Sequence, residues 1–229
     1  MKKIILSLFL TLNLVVAQNN KATYNVKLLD DSKIEKGELG YLYSKSKQEA
    51  NNFVFHLLFS NRNANFFLEE NLSVENLTFS SVKLFSRYKG FIYTDSLFNY
   101  IEKNIDFKRN TLKNKINRDW KLTNESKLIQ NYLCYKATSK ETITNSKGEF
   151  QFDIIAWYCP EIPYQFGPNG FGGLPGLILE LQFDKSLYGL KTLTLNDKSI
   201  KIETVDQNKI ISDEEYAKKI QEMKKSMFE

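Results

Sequence analysis

Gly148-Glu149-Phe150-Gln151-Phe152-Asp153-Ile154-Ile155-Ala156-Trp157-Tyr158-Cys159 is the stretch that decides the fold class. Phe150, Phe152, Ile154, Ala156 and Tyr158 alternate with Gln151, Asp153, Ile155 and Trp157. That is the two-residue period of a strand, not the 3.6-residue period of a helix. Thr144-Asn145-Ser146-Lys147-Gly148, just upstream, supplies turn chemistry, because Asn and Gly accept positive φ at little cost. The partner strand runs over residues 132–138. Centring the hairpin on Ser146 and Lys147 sets Cys134 opposite Cys159, within the reach of a disulfide. An oxidising compartment favours that cross-link; the alternative is two free thiols acting as small apolar residues on separate faces.

Working outward, Leu177, Leu179, Leu181 and Phe183 fall on one face of the next strand, with Glu180, Gln182 and Asp184 on the other. Residues 186–189 turn the chain into a strand at 190–195, and Asn196-Asp197 turns it again into one at 200–205. The apolar run Phe53-Val54-Phe55-His56-Leu57-Leu58-Phe59 reads as a further strand. Ser212-Asp213-Glu214-Glu215 is a capping box. Acidic residues open the helix after it and Lys218, Lys219, Lys224 and Lys225 lie further along, in keeping with the helix dipole. Ile211, Tyr216, Ile220, Met223 and Met227 give that helix one apolar side. Residues 72–85 are compatible with helix, strand or loop. Strands joined by tight turns make a meander. The expected fold is therefore mainly β (α+β): a single curved antiparallel sheet or half-barrel meander, with the C-terminal helix packed on or beside it.

The 229 residues carry 17 Phe, 12 Tyr and 2 Trp, and 42% are hydrophobic, enough to bury one substantial core. Lys2 and Lys3 followed by an apolar run over residues 4–16, with Ala17 before Gln18, read as a signal peptide over residues 1–17. That run is too short to span a bilayer, and no second apolar stretch of membrane length follows. Residues 18–229 show neither repeat nor linker and read as a single β-rich domain. Removal of residues 1–17, which hold two lysines, lowers the formal charge from +5 to +3, with both signs interspersed, so nucleic acid is not an expected partner. Two Cys and one His are too few for a zinc ribbon, an iron–sulfur cluster or a His-rich metal site, and no cofactor is implied.

The densest local signal is Gly167-Pro168-Asn169-Gly170-Phe171-Gly172-Gly173-Leu174-Pro175-Gly176-Leu177-Ile178. Its glycines lead into a strand, whereas phosphate-binding loops open a helix, so a nucleotide site is excluded. Turn chemistry explains the stretch as a rigid structural loop formed by Gly167, Pro168, Gly173, Leu174, Pro175, Gly176, Leu177 and Ile178, with Leu174-Pro175-Gly176 in a type II turn. Gly-Leu-Pro-Gly-Leu-Ile at 173–178, preceded by Tyr132-Leu133-Cys134-Tyr135-Lys136-Ala137, Ala156-Trp157-Tyr158, Ile162-Pro163 and Gly167-Pro168, resembles the GLPGLI family over residues 120–181. The resemblance implies an exported envelope protein of a Gram-negative bacterium, in the periplasm or at the cell surface, with a β-rich fold. It transfers no catalytic residue.

Chemistry-bearing groups are sparse. His56 sits among apolar neighbours with no carboxylate beside it in sequence, and no nucleophile-elbow serine is present. A Cys–His pair requires the fold to bring His56 to Cys134 or Cys159 as a free thiol. Glu161, Glu180 and Asp153 lie near the loop in sequence, and acid–base work requires two of them in one cleft. No catalytic residue and no metal site is assigned. The aromatics are the stronger signal: Trp120, Tyr132, Trp157, Tyr158, Phe166 and Phe171 are candidates to line a cavity for a lipid or hydrophobic peptide, the alternative being that they build the core. Three function classes follow: a non-catalytic binding or carrier-like module with an apolar cavity beneath the Gly/Pro loop, which is favoured; an envelope interaction or assembly factor; and, last, a hydrolase or modifying enzyme.

Overall fold

The structure, a computed structural model, describes residues 19–70, 75–105, 108–116, 119–145 and 148–226. In chain order the elements are β1 (Asn20–Leu28), α1 (Ser32–Glu35), α2 (Gly40–Glu49), β2 (Val54–Phe59), β3 (Ala64–Leu68), α3 (Asn76–Phe85), β4 (Ile92–Thr94) and β5 (Phe98–Ile105). They continue as β6 (Lys108–Lys115), β7 (Lys121–Ile129), β8 (Tyr132–Asn145), β9 (Gly148–Cys159), β10 (Leu177–Phe183), β11 (Ser186–Thr194), β12 (Ile210–Ile211) and α4 (Asp213–Ser226). The expected signal peptide, residues 1–17, lies outside the described residues.

The twelve strands among the described residues form one open sheet, in the order β12-β6-β5-β4-β3-β2-β1-β11-β10-β9-β8-β7, not closed into a barrel. It is two antiparallel meanders, β1 to β6 and β7 to β11. They meet where β1 lies antiparallel to β11, from Lys21 opposite Thr194 to Leu28 opposite Ser186. The fold is mostly β, as the alternation implies. One pairing is parallel: Ile210 and Ile211 of β12 lie against Thr111 and Leu112 of β6, so the sheet is mixed rather than wholly antiparallel.

Alternate residues separate the two faces. Ala22, Tyr24, Val26 and Leu28 of β1 are fully buried on the inner face, together with Phe55 and Leu57 of β2 and Tyr188 of β11. Helices α2 and α3 cover part of this face; Tyr43 meets Phe85 edge-on at 4.8 Å, and the buried hydroxyls of Ser46 and Ser81 bond at 2.7 Å. The large side chains bring polar tips inside, and these tips are satisfied: Tyr24 Oη donates to the Ile178 carbonyl and Tyr188 Oη to that of Ser86, both at 2.8 Å. A buried Tyr or Phe of this kind costs about 3–5 kcal/mol when truncated to Ala.

The Gly/Pro loop between β9 and β10 lies on the same face and ties the meanders together. Asn169, in the left-handed region at φ 56, accepts from the Lys89 amide at 3.0 Å and donates to the Arg87 carbonyl at 2.8 Å. Asn99 of β5 donates to the Gly170 carbonyl at 2.8 Å, and Trp120 Nε1 to that of Gly172 at 2.9 Å. Gly170 has φ 79, and a Cβ there would lie 2.9 Å from Asn99 Nδ2.

The hairpin of β8 and β9 has the register its turn chemistry sets. Asn145 faces Gly148 and Tyr135 faces Tyr158, which carries Cys134 opposite Cys159 one pair further on. Residues 146–147 themselves lie outside the described residues. The burial follows the alternation at Ile154, Ala156 and Tyr158, but Phe150 is 42% exposed, since β10 pairs with β9 only from Ile154 onward.

Several expectations are corrected. The register of β10 on β9 shifts between Ile178 and Glu180, so Leu177 lies on the face of Cys159 and away from Leu181 and Phe183. The turn into β11 is at Asp184-Lys185, with Asp184 at φ 55, and not at residues 186–189. Residues 200–205 form no strand: β11 is already flanked by β1 and β10, leaving no edge for a following strand. That segment instead crosses the outer face, where Asn65 brackets Glu203 by accepting from its amide at 2.6 Å and donating to its carbonyl at 3.1 Å. Ser212 caps α4 by accepting from the Glu215 amide at 3.1 Å, but the Glu215 carboxylate turns to Lys219 at 3.0 Å instead of closing the box. Met227 is outside the described residues. Within 72–85, residues 76–85 are helix α3 and 71–74 are not described.

The type II turn at 174–177 does not form. The Leu177 amide donates across to the Ile162 carbonyl at 2.9 Å, and the Gly176 amide closes a tighter turn on Leu174 at 2.8 Å. Gly176 is required by proximity, since a Cβ would lie 2.2 Å from the Cys159 carbonyl oxygen. Gly176→Ala is therefore expected to lower unfolding free energy by about 1–3 kcal/mol. Gly189→Ala, where a Cβ meets nothing within 4 Å, should stay within about 0.5 kcal/mol of wild type. Urea titration of both variants checks the contrast.

Candidate functional site

The six aromatic candidates do not converge on one cavity. Tyr158, Phe166 and Phe171 are 6%, 8% and 5% exposed and belong to the core, Phe171 packing on Phe183 at 5.4 Å. Trp120 is half-buried against Phe171 at 6.5 Å, its indole nitrogen bonded to the loop. Trp157 stands on the outer face, opposite Glu180 in register, with Lys127 Nζ 4.3 Å from its ring and 2.7 Å from the Glu180 carboxylate. Tyr132 is half-buried at the far end of β8, opposite Ile129. Of the loop residues, Gly167, Pro168, Leu174 and Gly176 are buried together with Leu177 and Ile178, Gly173 is half-buried and Pro175 is exposed, so the buried part of the loop is packed protein.

The groups needed for nucleophilic or acid–base chemistry are dispersed. His56 on β2 is separated from Cys134 on β8 by the strands β1, β11, β10 and β9, a distance of about 24 Å at the usual strand spacing. Burial and the neighbouring Cys159 push the Cys134 thiol up to about 12, and burial raises Cys159 as well, so neither supplies thiolate at neutral pH. Both thiols are free and buried, in contact with each other, where the sequence favoured a cross-link. Glu180 pairs with Lys127 at 2.7 Å and Asp153 with Lys140 at 3.8 Å, while Glu161 lies exposed in the following loop. Among the described residues no group of three or more His, Cys, Asp and Glu is placed to hold a metal ion.

Among the described residues several open clefts lie on the surface, and one adjoins the Gly/Pro loop. Its volume is about 390 Å³, toward the small end of the roughly 300–1,000 Å³ typical of small-molecule sites. Four segments converge on it: the β2–β3 turn with Asn61 and Arg62, the β4–β5 turn with Asp95, Ser96 and Leu97, Ile116 after β6, and residues 163–166. Ile116 and Phe166 are buried at its base, Tyr164 is fixed edge-on to Phe59 at 4.9 Å, and Leu97 stands 53% exposed at its rim. The four segments are set by strand pairing: Ile116 donates to the Leu97 carbonyl at 3.1 Å, and Phe166 bridges Gly172. Of the six aromatic candidates only Phe166 contributes to it. Sequence reasoning missed Arg62, Leu97 and Ile116, which carry no local signature and meet only through sheet order. A second cleft of about 590 Å³ lies at the start of β7 against Thr138 and Ile155, and a third of about 600 Å³ beside Asn25 and Gly189.

Residues 146–180 match the model of a family described as a protein of unknown function (Porph_ging), a span that takes in β9, the Gly/Pro loop and the start of β10. No curated protein matches the chain. The chain is similar to a structure of PNGF-II in the P21 space group, with a TM-score of 0.53 and 15% identity over 90% of this chain and 34% of that one. A second PNGF-II structure, in the C2 space group, gives 0.52 and 13% over 90% of this chain and 33% of that one. At this identity the likeness is one of fold, and the chain spans about a third of those chains' length.

His56 provides a titration to measure. Burial holds its imidazole below the ordinary 6.5, and the 2.7 Å bond from Nε2 to Glu69 opposes that only in part; among the described residues the buried Nδ1 has no hydrogen-bond partner. The folded value lies below the unfolded one, so the unfolded chain takes up this proton first. The contribution is fully present above about pH 6.5 and is lost as pH falls toward the folded value. The urea midpoint is expected to hold steady above about pH 7 and to fall through the range just below 6.5. His56→Gln should remove that part of the slope. An unchanged slope in the variant refutes the assignment.

Proposed function

We propose that this chain is an exported envelope protein of the GLPGLI type that acts as a non-catalytic binding module for a hydrophobic ligand or peptide. The supporting observation is the cleft beside the Gly/Pro loop. The inner face of the sheet is filled, yet at the end of the loop Leu97, Ile116, Pro163 and Phe166 leave apolar surface facing an open volume of about 390 Å³. Loops held by a rigid sheet are the usual place for recognition, and an apolar pocket with a few polar groups is the usual form of a small-molecule site. The dispersal of His56, both cysteines and the carboxylates speaks against the hydrolase reading. Export rests on the basic and apolar character of residues 2–17 and on the GLPGLI resemblance. Among the described residues no helix is long and apolar enough to cross a membrane.

The assembly alternative draws on Leu39, Tyr41, Leu77 and Leu84, which lie 51–81% exposed on or beside α2 and α3. Native mass spectrometry of protein purified from its own envelope separates the two: a co-purifying apolar small molecule supports the binding module, a stoichiometric protein partner the assembly factor. In vitro, the fluorescent apolar probe N-phenyl-1-naphthylamine is expected to bind at micromolar concentration, and Leu97→Asn to weaken it several-fold with an unchanged melting curve. Equal binding by both proteins counts against the cleft.

Export also bears on the cysteines. We propose that in an oxidising compartment the facing thiols of Cys134 and Cys159 become a disulfide, closing a loop worth on the order of 3 kcal/mol. Ellman titration of denatured, unreduced periplasmic protein should find no free thiol. Two titratable thiols would remove the cross-link.

A further inference from the structure

We propose that the ligand of the loop-side cleft bears an ionised carboxylate on an apolar body, and that Arg62 receives that carboxylate. The proposal rests on the binding-module reading above and adds the ligand class.

Arg62 lies exposed in the β2–β3 turn at the cleft, and among the described residues its guanidinium has no carboxylate within ion-pair distance. Arg87 and Arg109 differ, pairing with Asp184 at 2.6 Å and Glu102 at 3.6 Å. Asp95, the one carboxylate among the described lining residues, is already occupied. It accepts from the amides of Leu97 and Phe98 at 2.7 Å each, and from Tyr100 Oη at 3.0 Å. Those three donors pin it to its own turn and compensate its charge locally.

The rest of the cleft is apolar at its base and neutral at its rim. Ile116 and Phe166 form the base, and the amides of Asn61 and Gln165 flank the opening. Arginine is the side chain suited to planar, two-point recognition of a carboxylate, and the pairing strengthens where apolar walls exclude water. A phosphate group carries more charge and generally collects several donors or cations; among the described residues this cleft holds one cation beside an acidic residue. A neutral apolar ligand would leave the guanidinium unused. The arrangement therefore matches a monocarboxylate with a compact hydrocarbon part, supplied either by a fatty acid or by the C-terminus of a peptide ending in an apolar residue.

Isothermal titration of the full chain with octanoate, octanol, N-acetylphenylalanine and N-acetylphenylalanine amide tests this near pH 7. Wild type is expected to bind at least one acid about tenfold or more tightly than its neutral counterpart. Arg62→Gln should abolish that preference and leave the neutral compound's affinity unchanged, and Arg62→Lys should keep part of it. Preference in the octanoate pair assigns the site to fatty carboxylates, and preference in the N-acetylphenylalanine pair alone to peptide termini; either supports the proposal. Equal binding of acid and neutral compound in both pairs, with Leu97→Asn still weakening them, overturns the carboxylate assignment and leaves the cleft standing. Binding by none of the four, or binding that Leu97→Asn does not weaken, overturns the cleft reading as well.

Discussion

The antiparallel contact between β1 and β11 is the constraint on which the molecule depends. It joins the first strand to the last long one, from Lys21 opposite Thr194 to Leu28 opposite Ser186, and turns two meanders into a single sheet. Without it, both strands would present an unpaired row of amides and carbonyls, and Tyr24, Val26 and Tyr188 would lose the neighbours that bury them. Closing so long a chain segment is opposed by loop entropy, which rises only slowly with length. The apolar face on either side of the junction provides the compensating gain. Sheets assembled from such distant partners generally fold in milliseconds to seconds rather than microseconds.

The Gly/Pro loop reinforces that junction from the inner face. Its emergence after β9 places it over the second meander, yet its bonds reach the first, through Asn169 to the chain before β4 and through Gly170 to Asn99 of β5. Its glycines serve this approach: the backbone comes so close to Cys159 and to Asn99 that a methyl group would collide. The loop is thus an internal brace, and its remaining edge, at residues 163–166, becomes the wall of the cleft. One segment supports the fold with its middle and shapes the candidate site with its end.

What was legible in the sequence is what is local. The β8–β9 hairpin, its register and the cap of α4 follow from a few neighbouring residues, and the structure contains all three. The β1–β11 pairing has no local signature, so neither the insertion of β1 into mid-sheet nor the consequence for residues 200–205 was readable. That segment has the composition of a strand but reaches no vacant edge. Helix α2 escaped notice because its sequence, Gly40-Tyr41-Leu42-Tyr43-Ser44-Lys45, has only a weak apolar stripe and begins at Leu39 without a side-chain cap. The aromatics were visible as a group, but whether Phe171 or Trp157 faces protein or solvent depends on which face the helices and loop cover. The cleft was the least legible feature, since Arg62, Leu97, Ile116 and Phe166 come from four separate segments that sheet order alone brings together.

The direction of β1 relative to β11 carries a mechanical meaning. Lys21 and Thr194 face each other, so the two strands leave the junction at the same end of the ladder. Tension applied between the segment before Asn20 and the segment after Thr194 would first part the bonds that tie Asn19 and Asn20 to Asn196, Asp197 and Ile200, and then load that ladder at its last pair. The junction would then part as a zipper does, pair after pair at modest force, whereas a pull along the strands in opposite directions would have to break all the pairs at once.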